Sequence, residues 1–349
     1  LTQPDDSKGN VNNGSVWRRA NTRVGNTATT TNQTDLFGEF YLGGMKNSFS
    51  TGIELSREES QRSSYDVNTN TGGATASTCT PGLIGPNSGY NCTSLSNPNP
   101  DDPWNGAIAR NYAGTDTKSK TRALYVFDTL ELTPQWLLNM GLRYDHFDTQ
   151  YRGYTASGAT AVNSKGVASK GSDTSEFITG QLGLVWKPAE NGSIYVSYAT
   201  SATPPGAQLG EGSEGNPLGN TTDRAGNLLA SDMEPEETTN YELGTKWDLL
   251  DERLSLTAAV FRTEKENARV QVNTTTYENI GETRVQGVEL SASGKITDKW
   301  QVFAGYTYMQ ARQIDGGALG AVNDGNQLPN TPNNSASLWT TYALTPKLT

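Results

Sequence analysis

The chain alternates apolar and polar side chains over runs of roughly ten residues, and six short polar turns separate these runs. Alternation with a period of two is typical of a strand with two different faces, so the pattern predicts antiparallel hairpins. We predict the short turns at residues 43–47, 133–135, 187–192, 248–252, 297–299 and 345–347. Eleven strands are predicted at 33–43, 48–59, 120–132, 136–147, 175–187, 193–201, 236–247, 253–263, 281–296, 300–309 and 335–344, and a twelfth begins at Leu348.

The connections at the other ends of the hairpins are much longer than the six turns. They are predicted at residues 61–118, 148–174, 202–234, 264–280 and 310–334. Connections of this length without secondary structure usually carry function or are disordered. Short turns on one side and long loops on the other are typical of an outer-membrane barrel, with the turns in the periplasm and the loops outside the cell.

Four of the seven tryptophans lie directly beside short turns. Trp136 and Trp300 follow a turn, whereas Trp186 and Trp247 precede one. Each shares its face with apolar residues two positions away, so all four are predicted at one depth and pointing outward. An indole has an apolar body and one N–H donor, which suits the boundary between lipid and water. The alternative is that these residues cover the core of a soluble sandwich.

The opposite faces of the same strands are polar or small. They carry Arg143 and Asp145 on one strand, and Gly287 and Glu289 on another. These faces could meet solvent outside a one-sided sheet or line a wet lumen. The positions of the tryptophans favour the lumen.

The composition alone resembles that of a polar secreted protein. The chain has 349 residues, of which 34% are hydrophobic, and a formal net charge of −10. No apolar run exceeds five residues, which excludes a transmembrane helix but not a barrel, because only every second barrel residue meets lipid. The acidic balance argues against a nucleic-acid partner. No signal-peptide pattern is present at Leu1, so we expect the chain to begin after a signal peptide or inside a longer protein.

Both cysteines fall in the longest predicted loop. Cys79 and Cys92 are separated by twelve residues. A disulfide between them would be worth about 3 kcal/mol in the chain-entropy model and would indicate an oxidising compartment. The alternatives are two free thiols or two metal ligands, but the chain has no further cysteine, and its sole histidine, His146, is distant in sequence.

No motif predicts catalysis or a resident metal. The glycines from Gly210 to Gly215 have dinucleotide-fingerprint spacing but lack the required strand before and helix after them. His146 lies at a predicted strand end, where an interface position is more plausible than a catalytic triad. The acidic segments 97–103 and 315–324 lack the spacing of a calcium loop.

Several segments resemble a known family. Five segments together resemble barrel motifs of TonB-dependent outer-membrane receptors, although no single one is decisive. They are Glu237–Trp247, Arg284–Leu290, Gly141–Asp145, Tyr195–Ser201, and Leu328–Pro332 with Ser337–Trp339. The segments Asn32–Asp35 and Gly52–Glu58 most resemble the catecholate siderophore receptor branch. The resemblance covers nearly all of residues 32 to 344.

The resemblance implies an all-β fold, an antiparallel transmembrane β-barrel of twenty-two strands closed by an N-terminal plug domain. Residues 1–349 are then a partial barrel domain with about eleven of those strands, and the plug and its energy-coupling segment are absent from this chain. The implied partners are outer-membrane lipid, the TonB complex through the missing plug region, and a ferric siderophore as transported ligand. No covalently bound cofactor is implied.

The resemblance implies an active transport receptor and not an enzyme. The alternatives are a passive porin and an extracellular β-rich binding module. A ferric catecholate is a bulky anion with aromatic rings, so its receptor should offer cationic and aromatic side chains. For each single candidate, packing of the loops against one another is the favoured alternative. The candidates are Trp104, Arg110, Tyr112, Arg143, Tyr151, Arg152, Tyr154 and Arg312.

Overall fold

The computed structural model of the chain describes residues 2–5, 14–20, 24–68, 92–101, 107–155, 157–161, 170–205, 207, 234–271, 277–316 and 324–345. None of these residues forms a helix that is long and apolar enough to cross a membrane. The described strands are β1 (Thr2–Asp5), β2 (Ser15–Ala20), β3 (Val24–Leu42), β4 (Met45–Asn68), β5 (Cys92–Ser94), β6 (Ala107–Thr133), β7 (Trp136–Tyr154), β8 (Lys170–Ala189), β9 (Gly192–Thr203), β10 (Glu236–Leu249), β11 (Leu254–Gln271), β12 (Tyr277–Thr297), β13 (Trp300–Asp315) and β14 (Asn334–Tyr342).

The described strands form two sheets. Eleven of them pair in the order β14-β13-β12-β11-β10-β9-β8-β7-β6-β4-β3, so each strand lies beside its neighbour in sequence apart from the skipped β5. This agrees with the predicted meander of eleven strands. The second sheet is small and has the order β1-β2-β5. The predicted twelfth strand at Leu348 lies outside the described residues.

The chain divides into two compact units. The first unit comprises Leu1–Ala28, Glu59–Thr117 and Arg152–Ser169, and it contains the small sheet. The second unit comprises Thr29–Glu58, Lys118–Tyr151 and Lys170–Thr349, and it contains most of the eleven-stranded sheet.

The strands extend further at their loop ends than the alternation predicts. The strand predicted at 48–59 runs over Met45–Asn68, and the one predicted at 175–187 runs over Lys170–Ala189. The loop predicted at 264–280 is reduced in the same way, because β11 continues to Gln271 and β12 begins at Tyr277. Where both faces of a strand meet water, the side chains need not alternate in polarity, so these extensions leave no period-two pattern.

One face of the large sheet carries the four turn-proximal tryptophans, and we call it the tryptophan face. The rings of Trp136 and Trp186 stack across β7 and β8 with centroids 5.8 Å apart. Apolar side chains continue this face in register, with Leu243 opposite Val260 and Val260 opposite Val288. Strand pairing therefore puts these aromatic and apolar side chains on one face, and the role of the tryptophans as membrane-interface residues stays a prediction.

A second aromatic row crosses the tryptophan face further from the short turns. Tyr198 and Tyr241 are paired across β9 and β10, with ring centroids 5.3 Å apart. Tyr144 lies eight residues beyond Trp136 on β7. At a rise of about 3.3 Å per residue, the two aromatic rows of β7 are about 26 Å apart along the strand. An apolar band of about 25 Å between two aromatic girdles is typical of a membrane-spanning barrel.

The opposite face, which we call the polar face, is held by hydrogen bonds between neighbouring strands. Thr257 Oγ1 lies 2.6 Å from Ser291 Oγ, and Thr263 Oγ1 donates to Asn240 Oδ1 at 2.7 Å. Glycine provides room for a large ring at Gly244, where an added Cβ would lie 2.4 Å from the Tyr195 ring. An apolar exception occurs near one edge of the sheet, where Phe303 pairs with Trp339.

Candidate functional site

A charged cluster lies on the polar face of the second unit and is centred on Arg143. Alternation along β7 puts Arg143 and Asp145 on the same face, two residues apart. Arg143 Nε and Nη2 donate to the two oxygens of the Asp145 carboxylate, each at 2.8 Å. Arg143 Nη1 donates to Glu54 Oε2 of β4 at 3.0 Å. All three guanidinium nitrogens are therefore engaged by carboxylates.

Tyr125 of β6 extends this cluster toward β3. The Arg143 guanidinium carbon lies 5.7 Å from the centroid of the Tyr125 ring, which is a cation–π distance. The Tyr125 hydroxyl donates to Asp35 Oδ1 and accepts a hydrogen bond from Gln33 Nε2 at 2.9 Å. Gly52 makes this approach possible, since an added Cβ there would lie 2.6 Å from the Tyr125 hydroxyl and 2.5 Å from the Thr34 carbonyl oxygen.

The charge balance of the cluster is acidic. Two carboxylates, those of Glu54 and Asp145, contact the guanidinium, and a third, that of Asp35, binds the Tyr125 hydroxyl. The Asp145 residue is only 5% exposed, so its ion pair with Arg143 is screened less by solvent than a surface pair is. Because each nitrogen of Arg143 already donates to a carboxylate and the cluster carries more negative than positive charge, the cluster suits a cationic group better than an anionic ligand.

Two further predicted ligand residues, Tyr151 and Arg312, belong to the second unit. Tyr151 lies on the same face of β7 as Arg143 but is only 5% exposed. Arg312 lies on the tryptophan face of β13, twelve residues from Trp300, and pairs in register with Arg284 of β12. Its Nη1 atom donates to the Gly325 carbonyl oxygen at 2.6 Å.

Four predicted ligand residues that the structure describes belong to the first unit. Arg110 stacks over Tyr112 at 5.3 Å from the ring centroid, and Tyr112 is 58% exposed. The Tyr154 hydroxyl donates to Asp116 Oδ2 at 2.9 Å. Arg152 is exposed on β7. Of these residues, the pair of Arg110 and Tyr112 offers both a cation and an aromatic face to the surface.

The remaining predicted site residues are only partly within the described structure. Trp104 and Cys79 lie outside the described residues, whereas Cys92 begins β5. The disulfide between Cys79 and Cys92 therefore stays a prediction. Within the described part of the chain, no group of three or more His, Cys, Asp or Glu residues is arranged to hold a metal ion.

The sequence analysis missed the partners of Arg143. Glu54, Tyr125 and Asp35 are not among the predicted site residues. Glu54 nevertheless lies in the Gly52–Glu58 segment, two residues from Gly52 and therefore on the same face. The alternation signal was sufficient to place Glu54 on the polar face. The contact with Arg143 depends on which strands are neighbours, and the two residues are 89 positions apart.

The pairing order, the two aromatic rows and the polar opposite face are those of a membrane barrel. The family profile described as "TonB dependent receptor-like, beta-barrel" matches residues 3–348 of the chain. The chain belongs to the TonB-dependent receptor β-barrel family. Its tryptophan face is therefore the lipid-facing side, its polar face lines the lumen, and its membrane is the outer membrane. The soluble-sandwich alternative is wrong.

Relatives within the family cover nearly the whole chain. The probable TonB-dependent siderophore receptor PiuA of Acinetobacter baumannii is 40% identical over 100% of this chain and 46% of its own length. The catecholate siderophore receptor Fiu of Escherichia coli K12 is 35% identical over 99% of this chain and 43% of its own length. The chain thus spans about half the length of the curated relatives that it matches.

Solved structures of the same two relatives share the fold. The crystal structure of PiuA from Acinetobacter baumannii matches with a TM-score of 0.80 and 37% identity, over 99% of this chain and 48% of that chain. The closed form of the ferric-catecholate import receptor Fiu from Escherichia coli K12 matches with a TM-score of 0.74 and 31% identity, over 95% of this chain and 44% of that chain.

Proposed function

We propose that the protein containing this chain is an outer-membrane receptor that takes up a ferric siderophore, of the catecholate type, with energy supplied through TonB. The observation that carries the proposal is the similarity over 99% of the chain to a relative described as a catecholate siderophore receptor. The transported ligand is the ferric complex, and the protein acts as a carrier without covalent chemistry. The chain itself provides the wall of the barrel.

The exposed pair of Arg110 and Tyr112 is the proposed first contact for the ligand. A guanidinium and a phenol ring can meet the negative charge and the aromatic rings of a ferric catecholate. Trp104, Arg152 and Tyr154 are proposed as further contacts in the same unit. Arg143, with all three nitrogens engaged by Asp145 and Glu54, is a wall residue and not a ligand contact.

The decisive experiment measures iron uptake by whole cells. A strain that lacks its own catecholate receptors receives the full-length gene, and uptake of radioactive iron is followed with a ferric catecholate and, as control, a ferric hydroxamate. We expect uptake of the catecholate complex only, with loss of uptake when a protonophore removes the membrane potential. A passive porin would give uptake that is insensitive to the protonophore, and unchanged uptake after introduction of the gene would refute the proposal.

The ligand contact is tested by variants in the same uptake assay. Arg110→Ala and Tyr112→Ala should each raise the KM for the ferric catecholate about tenfold while the amount of folded receptor is unchanged, because a cation–π or charged contact is worth about 1 to 2 kcal/mol. Arg262→Ala, which removes a guanidinium from the lipid-facing side, is the matched control and should leave the KM unchanged. An equal effect in all three variants would argue against a ligand role for Arg110 and Tyr112.

A further inference from the structure

Two large aromatic side chains lie on the lumenal face, close to the short-turn end of the sheet. Phe303 of β13 pairs in register with Trp339 of β14. Phe303 lies three residues from Trp300, and an odd spacing along a strand changes the face. Both rings therefore belong to the lumenal face, whereas Trp300 faces lipid. At about 3.3 Å per residue, the pair lies about 10 Å from the beginning of β13.

The two rings are open to the lumen, although the residues around them are small and polar. Phe303 is 45% exposed and Trp339 is 68% exposed. Two residues further along the two strands, Gly305 pairs with Ser337, and on β12 Ser293 lies opposite Phe303. These small side chains do not extend over the rings. An aromatic surface is therefore available to a group that enters the lumen.

A cation lies beside the aromatic pair on the same face. Lys295 of β12 pairs in register with Gln301 of β13, which is two residues from Phe303. Diagonal neighbours on adjacent strands are about 7–8 Å apart, a distance that the long lysine side chain can span. Lys295 is exposed, and within the described residues no carboxylate pairs with it. Asp298 in the next turn contacts Arg253 instead, at 2.9 Å.

Two other lumenal cations of the second unit provide a contrast, because the wall itself neutralises them. Lys46 contacts Glu39 at 2.8 Å. Arg143 donates to carboxylates of β4 and β7 at 3.0 and 2.8 Å. The charge of Lys295 has no such partner in the described wall. It is therefore available to an anionic group that does not belong to the wall.

We propose that Lys295, Phe303 and Trp339 form a second binding site for the ferric catecholate, inside the lumen and close to the short-turn end. The inference rests on the proposed function, which supplies the ligand class. The catechol rings stack on the aromatic pair, and the Lys295 ammonium group meets the negative charge of the complex. An apolar segment from the rest of the protein would need only the rings. The cation beside them therefore favours an anionic aromatic ligand over such a segment.

Equilibrium dialysis of the full-length receptor in detergent tests this site, with the radioactive ferric complex of dihydroxybenzoate as the probe. The wild type should bind the probe in two classes of site. Trp339→Leu keeps an apolar side chain without the ring and should weaken one class about tenfold, and Lys295→Gln should weaken the same class about threefold. Trp339→Phe keeps a ring and should stay within about twofold of the wild type. Tyr342→Leu removes a ring from the lipid-facing side of the same strand and is the matched control.

The outcomes separate this site from the proposed function. Absence of any binding to the wild type would refute the proposed function and the second site with it. Binding that Trp339→Leu and Lys295→Gln leave unchanged would overturn the second site alone, and the rings would then pack against the rest of the protein. An equal loss in Tyr342→Leu, or with the ferric complex of acetohydroxamate, which has no ring, would also overturn it. Heat-dependent migration in SDS gels verifies that each variant is folded.

Discussion

At the residue scale, Arg143 donates hydrogen bonds to the wall carboxylates Asp145 and Glu54, and we propose that this is its role instead of ligand binding. Replacing it by Gln would leave Asp145 and Glu54 facing each other without their shared cation. We expect Arg143→Gln to lower the free energy of unfolding by about 1–3 kcal/mol, which is less than for a fully buried pair because the cluster is partly hydrated. The urea midpoint of the full-length receptor in detergent measures this change, and the KM for ferric catecholate should stay within twofold.

Restoring the charge balance provides the control for Arg143. In the double variant Arg143→Gln/Glu54→Gln, one of the two uncompensated carboxylates is removed, so part of the lost stability should return. A tenfold rise in KM with an unchanged urea midpoint would contradict the assignment of Arg143 to the wall. It would instead make Arg143 a ligand contact.

Gly52 tests the same cluster through sterics. A methyl group at this position would lie 2.5 Å from the Thr34 carbonyl oxygen. This is a backbone atom, which can move only if the strand is distorted. Gly52→Ala should therefore destabilise the barrel by about 1–3 kcal/mol. Gly183→Ala is the matched control, because the nearest atoms to its added Cβ lie at 3.7 Å. Equal urea midpoints for the two variants would show that the space between Thr34 and Tyr125 can accommodate a methyl group.

At the element scale, alternation was sufficient to predict the strands inside the membrane and the face of each residue on them. Arg312 shows how far alternation reaches. It lies an even number of residues from Trp300, so the alternation alone places it on the lipid-facing side, where it does not face the lumen. The strand extensions could not be predicted in this way, because water on both faces removes the pattern. The Arg143 cluster could not be predicted because Glu54, Tyr125 and Asp35 belong to other strands. A local pattern of apolar and polar residues does not specify which strands lie next to each other.

The assignment of faces predicts which tryptophans meet lipid. Quenching of tryptophan fluorescence by brominated lipid should fall when Trp186 is replaced by Phe, because Trp186 lies on the lipid-facing side beside Trp136. Trp339 lies on the opposite face of β14, opposite Phe303. Trp339→Phe should therefore leave the quenched component intact. If both variants lose the same quenched fraction, the assignment of faces at β14 is wrong.

The loop between β4 and β6 carries the predicted disulfide between Cys79 and Cys92. Peptide mapping of the unreduced full-length receptor should yield one fragment in which the two residues are linked, and reduction should separate it. Cys79→Ser/Cys92→Ser should lose about 3 kcal/mol at most, since a loop of this length gains about that much from closure. Recovery of the two cysteines in separate, alkylated peptides without reduction would exclude the bond.

At the scale of the whole molecule, the eleven-stranded sheet has two edges. β3 and β14 each have one neighbour in the sheet, so one row of backbone N–H and C=O groups on each strand is left without a strand partner among the described residues. Each unsatisfied group costs several kcal/mol in hydrocarbon, which is why membrane sheets close. Apolar residues such as Leu338 on β14, which is 70% exposed, show that this edge strand is built for lipid on one face. We therefore expect further strands to close the barrel, and the curated relatives are about twice as long as this chain. Residues 1–349 expressed alone with a signal peptide should be degraded or aggregate, whereas the full-length receptor should give a trypsin-resistant band that shifts on heating. A compact, heat-sensitive band from residues 1–349 alone, formed by one copy or by two, would mean that β3 and β14 can satisfy each other and would contradict the need for further strands.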